Sequence, residues 1–221
     1  MYIPKHHEET HLPTLHSFIR AHALGTLTTL GDGELVINHI PFLLDASRGD
    51  RGTLIAHVAR ANTVWRVFSE TVPSVIVFHG AESYITPTWY PSKDAHGKVV
   101  PTWNYAVVHA HGVPVVIHDK EWLLQHVNQL TDLHEADRAR PWKVADAPAD
   151  YIERMITGIV GIEIPISKLV GKWKVSQNRS EADRLGVVAG LVAHPGARSE
   201  EMAALVDATV SPGARDRDPS A

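Results

Sequence analysis

Apolar residues along this chain switch between two periods, and the switches divide it into elements. Leu12, Leu15, Phe18 and Ile19 recur at helical spacing behind Thr10, whose hydroxyl can cap the first turn. Pro13 is tolerated because an opening turn does not need its missing N–H. Three strand-like runs follow, Leu24 to Leu30, Glu34 to Leu44 and Thr53 to Val58, with Gly31-Asp32-Gly33 joining the first two as a hairpin. Ala59 to Ser69 reads as a short helix with Val64, Trp65 and Phe68 inward. Val75 to Phe78, Lys98 to Ala110 and Val113 to His118 read as strands. Glu121 to His134 is helical, with Trp122, Leu123, Val127, Leu130 and Leu133 on one face. A loop over Pro141 to Pro148 leads to a helix over Ala149 to Thr157. Gly158 to Ile166 alternates as a strand, Gly171 to Val175 extends or returns it, and Glu181 to Leu191 is a helix.

Short strands with hairpin connections and a few outer helices predict a mainly β, α+β fold, a small β-barrel with helical additions. Strands do not alternate with crossover helices, which argues against a doubly wound parallel sheet. Residues 1–191 read as one domain, followed by a C-terminal helix and a charged, Pro/Gly-containing tail from Ser211 that is expected to be disordered. Composition changes this picture little: 44% hydrophobic and 21% charged residues are ordinary for a soluble chain of 221 residues. No apolar run approaches the roughly 20 residues of a membrane helix. The opening Met1-Tyr2-Ile3-Pro4-Lys5-His6-His7 lacks a leader's apolar stretch, so a cytoplasmic location is expected. With no cysteine, disulfides, iron–sulfur clusters, zinc knuckles and thiol catalysis are excluded. A net charge of −4 opposes direct DNA binding, and the helix from Glu121 to His134 carries no Lys or Arg. Gly-rich nucleotide loops, the Gly-x-Ser-x-Gly elbow and the His-Glu-x-x-His helix are all missing from the sequence.

Candidate chemistry concentrates in four places. Trp89-Tyr90-Pro91-Ser92-Lys93 and Val100-Pro101-Thr102-Trp103-Asn104-Tyr105 form an aromatic, amide-rich loop feeding a strand, suited to a flat ligand with polar edges or simply to packing. His57, Arg60 and Asn62 lie where a strand enters a helix start, a place that favours an anion. Alternatively Asn62 is a cap, Arg60 a solvated charge and His57 a core imidazole. Asn38-His39 interrupts an apolar strand, so either internal partners or a ligand edge must meet these groups. Gly171-Lys172-Trp173-Lys174-Val175-Ser176-Gln177-Asn178-Arg179 offers a stacking face and several donors, or else a polar cap for the next helix. His109 and His111 share a strand face, but a third ligand is not evident, so no metal site is expected.

These motifs together resemble the PaiB family of FMN-binding negative transcriptional regulators. The resemblance is carried by Met1-Tyr2-Ile3-Pro4, Asn38-His39-Ile40-Pro41, Gly52-Thr53-Leu54 through Asn62, Tyr84-Ile85-Thr86-Pro87 with Trp89-Tyr90, Val100 to Tyr105, and Gly171 to Asn178. It spans Met1 to about Leu191. It implies a split β-barrel of the FMN-binding type, a homodimer, and cofactor at the subunit interface. The cofactor-binding residues so implied are His39, His57, Arg60, Asn62, Trp103, Asn104, Tyr105, Trp173, Lys174 and Gln177. Arg60 and Asn62 would lie near the FMN phosphate, and Trp103 to Tyr105 near the isoalloxazine. Trp173, Lys174 and Gln177 would come from the partner subunit. The Arg and Lys residues that pyridoxamine-phosphate oxidases carry on the second strand are replaced by Asn38 and His39. Some similar proteins, the piperazate synthases among them, hold haem b instead, and His57 would then be the iron ligand. Arg60 stands where a lysine would better suit that chemistry.

Overall fold

The structure, a computed structural model, describes residues 1–210; the tail expected from Ser211 lies outside the described residues. The strands are β1 (Glu8–Glu9), β2 (Leu24–Gly31), β3 (Glu34–Pro41), β4 (Leu43–Asp45), β5 (Thr53–Ala59), β6 (Ser74–Ile85), β7 (Thr102–Gly112), β8 (Val115–Ile117), β9 (Ile159–Pro165) and β10 (Lys168–Lys174). The helices are α1 (Leu12–Ala21), α2 (Ser92–His96), α3 (Lys120–Glu135), α4 (Ala149–Thr157), α5 (Glu181–Ala193) and α6 (Ser199–Asp207). The chain divides into two compact units that interleave in sequence. The first comprises Met1–His11, His79–Val108 and the chain from Val170; the second comprises Leu12–Phe78 and His109–Leu169.

In the second unit β2 and β3 form a hairpin from Leu24↔Pro41 to Gly31↔Glu34. Asp32 and Gly33 turn it with φ of 53° and 85°, the two consecutive left-handed residues a tight hairpin requires. One face buries Leu27 and Ile40; the other exposes Leu24, Leu30, Leu35 and Ile37. The first half of β6 extends this sheet through Thr28↔Val75 and Thr26↔Val77.

A four-stranded antiparallel sheet in the same unit has the order β4-β5-β9-β8. Its register puts Leu54, Ala56 and Val58 beside Ile164, Ile162 and Val160, all buried on one face. The opposite face carries Ile55 beside Glu163 and His57 beside Gly161. That face lies under α3, whose first turn is capped by Asp119 accepting from the Trp122 N–H at 2.7 Å.

The first unit contains the sheet order β1-β10-β7-β6, with Glu8↔Lys172 in register. Its core joins Ala81, Ile85, Tyr90 and Val175 to Val187 and Leu191 of α5 and to Met202 and Val206 of α6. Ser180 caps α5 by accepting from the Asp183 N–H. Among the described residues no helix is long and apolar enough to cross a membrane.

Among the departures from the sequence reading are α2 within the expected aromatic loop, the start of β7 at Thr102 instead of Lys98, and three more. The helix expected over Ala59 to Ser69 is only a 3₁₀ turn at Thr63–Arg66, where β-branched Thr63, Val64 and Val67 disfavour continuation. The strand expected from Glu34 to Leu44 breaks at Phe42, whose N–H bonds to Ala23 O at 2.8 Å, and its two halves join different sheets. The strand expected at Val75 to Phe78 continues to Ile85 although His79, Gly80 and Glu82 interrupt its apolar run.

Candidate functional site

Strand alternation arranges the aromatic segment of the first unit. Trp103 and Tyr105 leave one face of β7, while Asn104 leaves the other and is 1% exposed. Trp103 is 55% exposed, with the Tyr84 ring edge-on to it at 6.1 Å between centroids. The buried Lys172 ammonium donates to the Tyr105 hydroxyl at 2.6 Å and to Tyr2 O at 3.2 Å. Lys174 donates to Thr102 Oγ1 and to Trp103 O of its own chain. Gln177 Oε1 accepts from the Val175 N–H and lies 2.9 Å from His7 Nδ1, and its amide also donates to Trp173 O. Burial, opposed by that Gln177 contact, keeps His7 below the usual imidazole range. Six expected site residues thus gather in this unit: Trp103, Asn104, Tyr105, Trp173, Lys174 and Gln177.

His39, His57, Arg60 and Asn62 belong to the second unit. His39 is exposed on the outer hairpin face, its Nδ1 3.1 Å from Thr26 Oγ1. Asn62 donates to Asn38 Oδ1 at 2.7 Å, which supplies the internal partner that the polar interruption of β3 called for. Its own Oδ1 caps the 3₁₀ turn through the Val64 N–H. Arg60 donates Nε–H to Thr157 O and an Nη2–H to Ile159 O, both at 2.8 Å, so its guanidinium ties down the start of β9. The helix tip expected beside it does not form, and a four-residue turn sums almost no dipole.

His57 Nδ1 lies 2.9 Å from His126 Nε2, a bond in which one ring donates and the other accepts. Burial pulls His126 down to about 4, with His57 adding to the effect, and burial lowers His57 too. That bond occupies Nδ1 and leaves Nε2 of His57, so it does not bear against iron ligation; the haem alternative is not favoured because the family matched is an FMN-binding one. Trp122 stacks on His126 with centroids 5.3 Å apart and donates Nε1–H to Glu163 at 2.9 Å. Arg48 grips both Glu163 oxygens at 2.7 Å, and that bond holds the carboxyl below its usual range against the opposing effect of burial. Arg48, Trp122, His126 and Glu163, with Phe42, Leu44 and Arg20, line a cavity of about 970 Å³ within the second unit, large enough for a small organic ligand.

Sequence reasoning missed this set of Arg48, Trp122, His126 and Glu163. A signal was present: Gly161 and Glu163 fall on the face of β9 that an apolar strand should cover. A Cβ at Gly161 would meet the Trp122 ring at 2.3 Å, so glycine is what lets α3 settle there.

The family model described as Putative FMN-binding domain matches residues 1–168. The chain belongs to this family. An uncharacterised protein of Aspergillus fumigatus is 35% identical, across 86% of this chain and 90% of its own length. The Bacillus subtilis protease synthase and sporulation protein PAI 2 is 28% identical over 94% of this chain and 97% of its own. The likeness read from the motifs is borne out. Among solved structures, the FAD and heme binding protein of Mycobacterium smegmatis superposes with a TM-score of 0.57 at 15% identity, covering 76% of this chain and 73% of that one. The flavocytochrome of Azotobacter vinelandii gives 0.56 at 13%, covering 78% and 72%. At such identities the likeness concerns fold alone. The fold of this FMN-binding-domain protein is the α+β split barrel of flavin-binding proteins.

Proposed function

We propose that this protein is a cytoplasmic, homodimeric flavoprotein that binds FMN and acts in electron transfer or redox sensing. Family membership supports the flavin. The observation that carries the choice is the first unit's exposed indole, Trp103, with the Lys174 ammonium on its backbone carbonyl and the Lys172 ammonium on the hydroxyl of Tyr105 two residues along the same strand face. An aromatic surface backed by cations suits a ring system that carries a phosphate ester. When bound, the flavin would supply one- and two-electron transfer. This chain's residues would stack against the ring through Trp103 and Tyr84, and Lys172 would hold the Tyr105 hydroxyl as a hydrogen-bond acceptor, its proton free to point outward. Direct contact with DNA is not part of this reading, because a net charge of −4 opposes it.

Absorbance of the purified protein, followed by FMN titration monitored through flavin fluorescence, tests the reading. A yellow protein, or a colourless one that quenches added FMN stoichiometrically, is expected. A preparation with no flavin bands that leaves FMN fluorescence unchanged would overturn it, and a Soret band would turn it toward haem.

A further inference from the structure

Between the start of β7 and the turn after β10 lies a pocket of about 90 Å³, wholly within the first unit. Its walls are Thr102, Asn104, Lys174, Ser176, Asn178 and Arg179, with Val100 and Pro101 at one side. The space holds a few water molecules. One tetrahedral oxyanion fits it; a tricyclic ring does not.

One buried polar atom of these walls lacks a partner. Asn104 donates Nδ2–H to Ser176 Oγ at 2.9 Å, yet its Oδ1 meets nothing, although the residue is 1% exposed. Next to these walls the buried Tyr90 hydroxyl faces Arg179 and Ser176, with the Asp183 carboxylate also acting on it. Leaving an oxygen such as Asn104 Oδ1 unmet costs on the order of 1–3 kcal/mol. A half-turn of the Asn104 amide would aim Nδ2 at the pocket and let Oδ1 accept from Ser176. The charges agree. Arg179 sits over the Tyr90 ring at 4.8 Å, and the charged groups felt by Lys174 are the cations Lys172 and Arg179. Burial first, then those two cations, holds Lys174 below the ordinary lysine range, and an anion between Lys174 and Arg179 would relieve their mutual repulsion. Ser176 holds the turn in the left-handed region at φ 66°, a strained conformation for serine.

We propose that this pocket binds a single phosphate group, the head of a phosphate monoester, through Lys174, Arg179, Ser176, Asn178 and a rotated Asn104. Its existence does not depend on the flavin reading; only the identification of that head with the phosphate of FMN rests on it.

Inorganic phosphate is the probe, titrated against the full chain at constant ionic strength with chloride as the control, and read by thermal shift and phosphorus NMR line width. Saturable stabilisation by phosphate is expected. Lys174→Met and Arg179→Gln should each weaken it about tenfold or more, since a charged hydrogen bond is lost, whereas Arg154→Ala on α4 should leave it unchanged. Asn104→Asp keeps the side-chain shape while placing a like charge in the pocket, so it abolishes phosphate binding even if the other variants fail to fold. No phosphate effect in the wild type, or one that survives Asn104→Asp, overturns the proposal. Two further arms find the source of the head. Phosphate that competes with FMN but not with riboflavin assigns the pocket to the cofactor. Phosphate that binds equally to FMN-loaded protein, or to a protein that takes no flavin, assigns it to a separate phosphorylated ligand.

Discussion

At the scale of single residues, what a side chain already bonds decides what remains for a ligand. Arg60 reads as an anion contact because it follows a strand; its Nε–H and one Nη2–H hold two carbonyls ninety-odd residues away in sequence, which leaves its other N–H groups for a ligand. No spacing rule could reveal such long-range partners. Asn62 was legible as a cap, since its amide is the right size and sits at a chain reversal. His126 was not legible, because only the fold brings it to His57. Its titration has a direct consequence. Burial keeps His126 neutral in the native state, with its pKa near 4 against an unperturbed 6.5, so the unfolded chain binds more protons between those values. Stability is therefore full above about pH 6.5 and falls as the pH drops toward 4, by on the order of 3 kcal/mol for this residue at 1.36 kcal/mol per unit. Urea unfolding between pH 7.5 and 4.5 should show that slope, and His126→Gln should flatten it. An unchanged slope would mean that other groups carry the acid sensitivity.

At the scale of elements, β9 and α3 show how one small residue positions a cluster. Gly161→Ala would place a methyl within 2.3 Å of the Trp122 ring. The helix must then shift, and overpacking of this kind costs about 1–3 kcal/mol. The shift also pulls Trp122 Nε1 away from Glu163. Expected readouts are a lower urea midpoint and a changed tryptophan emission; a variant with wild-type values for both would refute the close contact. Element existence was easier to read than element length. Helices α3, α4 and α5 were found from their periodicity, although Leu133, read as inward on α3, is exposed and His126 takes a buried place there. β6 was cut short because its second half buries Gly80 and Ala81 side by side between exposed His79 and Glu82, which breaks the alternation and carries little side-chain signal. The 3₁₀ turn was overextended because Val64, Trp65 and Phe68 mimic helical spacing without the backbone to support it.

At the scale of the whole molecule, the outer face of the β2–β3 hairpin presents Leu24, Leu30, Leu35 and Ile37 to solvent. Leu30, Leu35 and Ile37 cluster at one end of this face, beyond Thr26 and His39 from Leu24; exposed apolar clusters can serve association, and the proposed homodimer would cover this one with a second copy. Light scattering should report a dimer for the wild type, and Leu35→Glu with Ile37→Glu should give a folded monomer. A wild-type monomer, or a double variant that stays dimeric, rules the face out. The sheets and helices of the split barrel were visible in periodicity, whereas the path that weaves them into two units was not, because hydrophobic patterning carries no information about which distant segments meet. That path has a consequence for biosynthesis. The eleven-residue N-terminal piece pairs with a strand more than 160 positions downstream. As the nascent chain leaves the ribosome, β1 must wait until β10 emerges. A truncation before Val170 would therefore strand the amino terminus without its neighbour, and such fragments should be cleared by proteases.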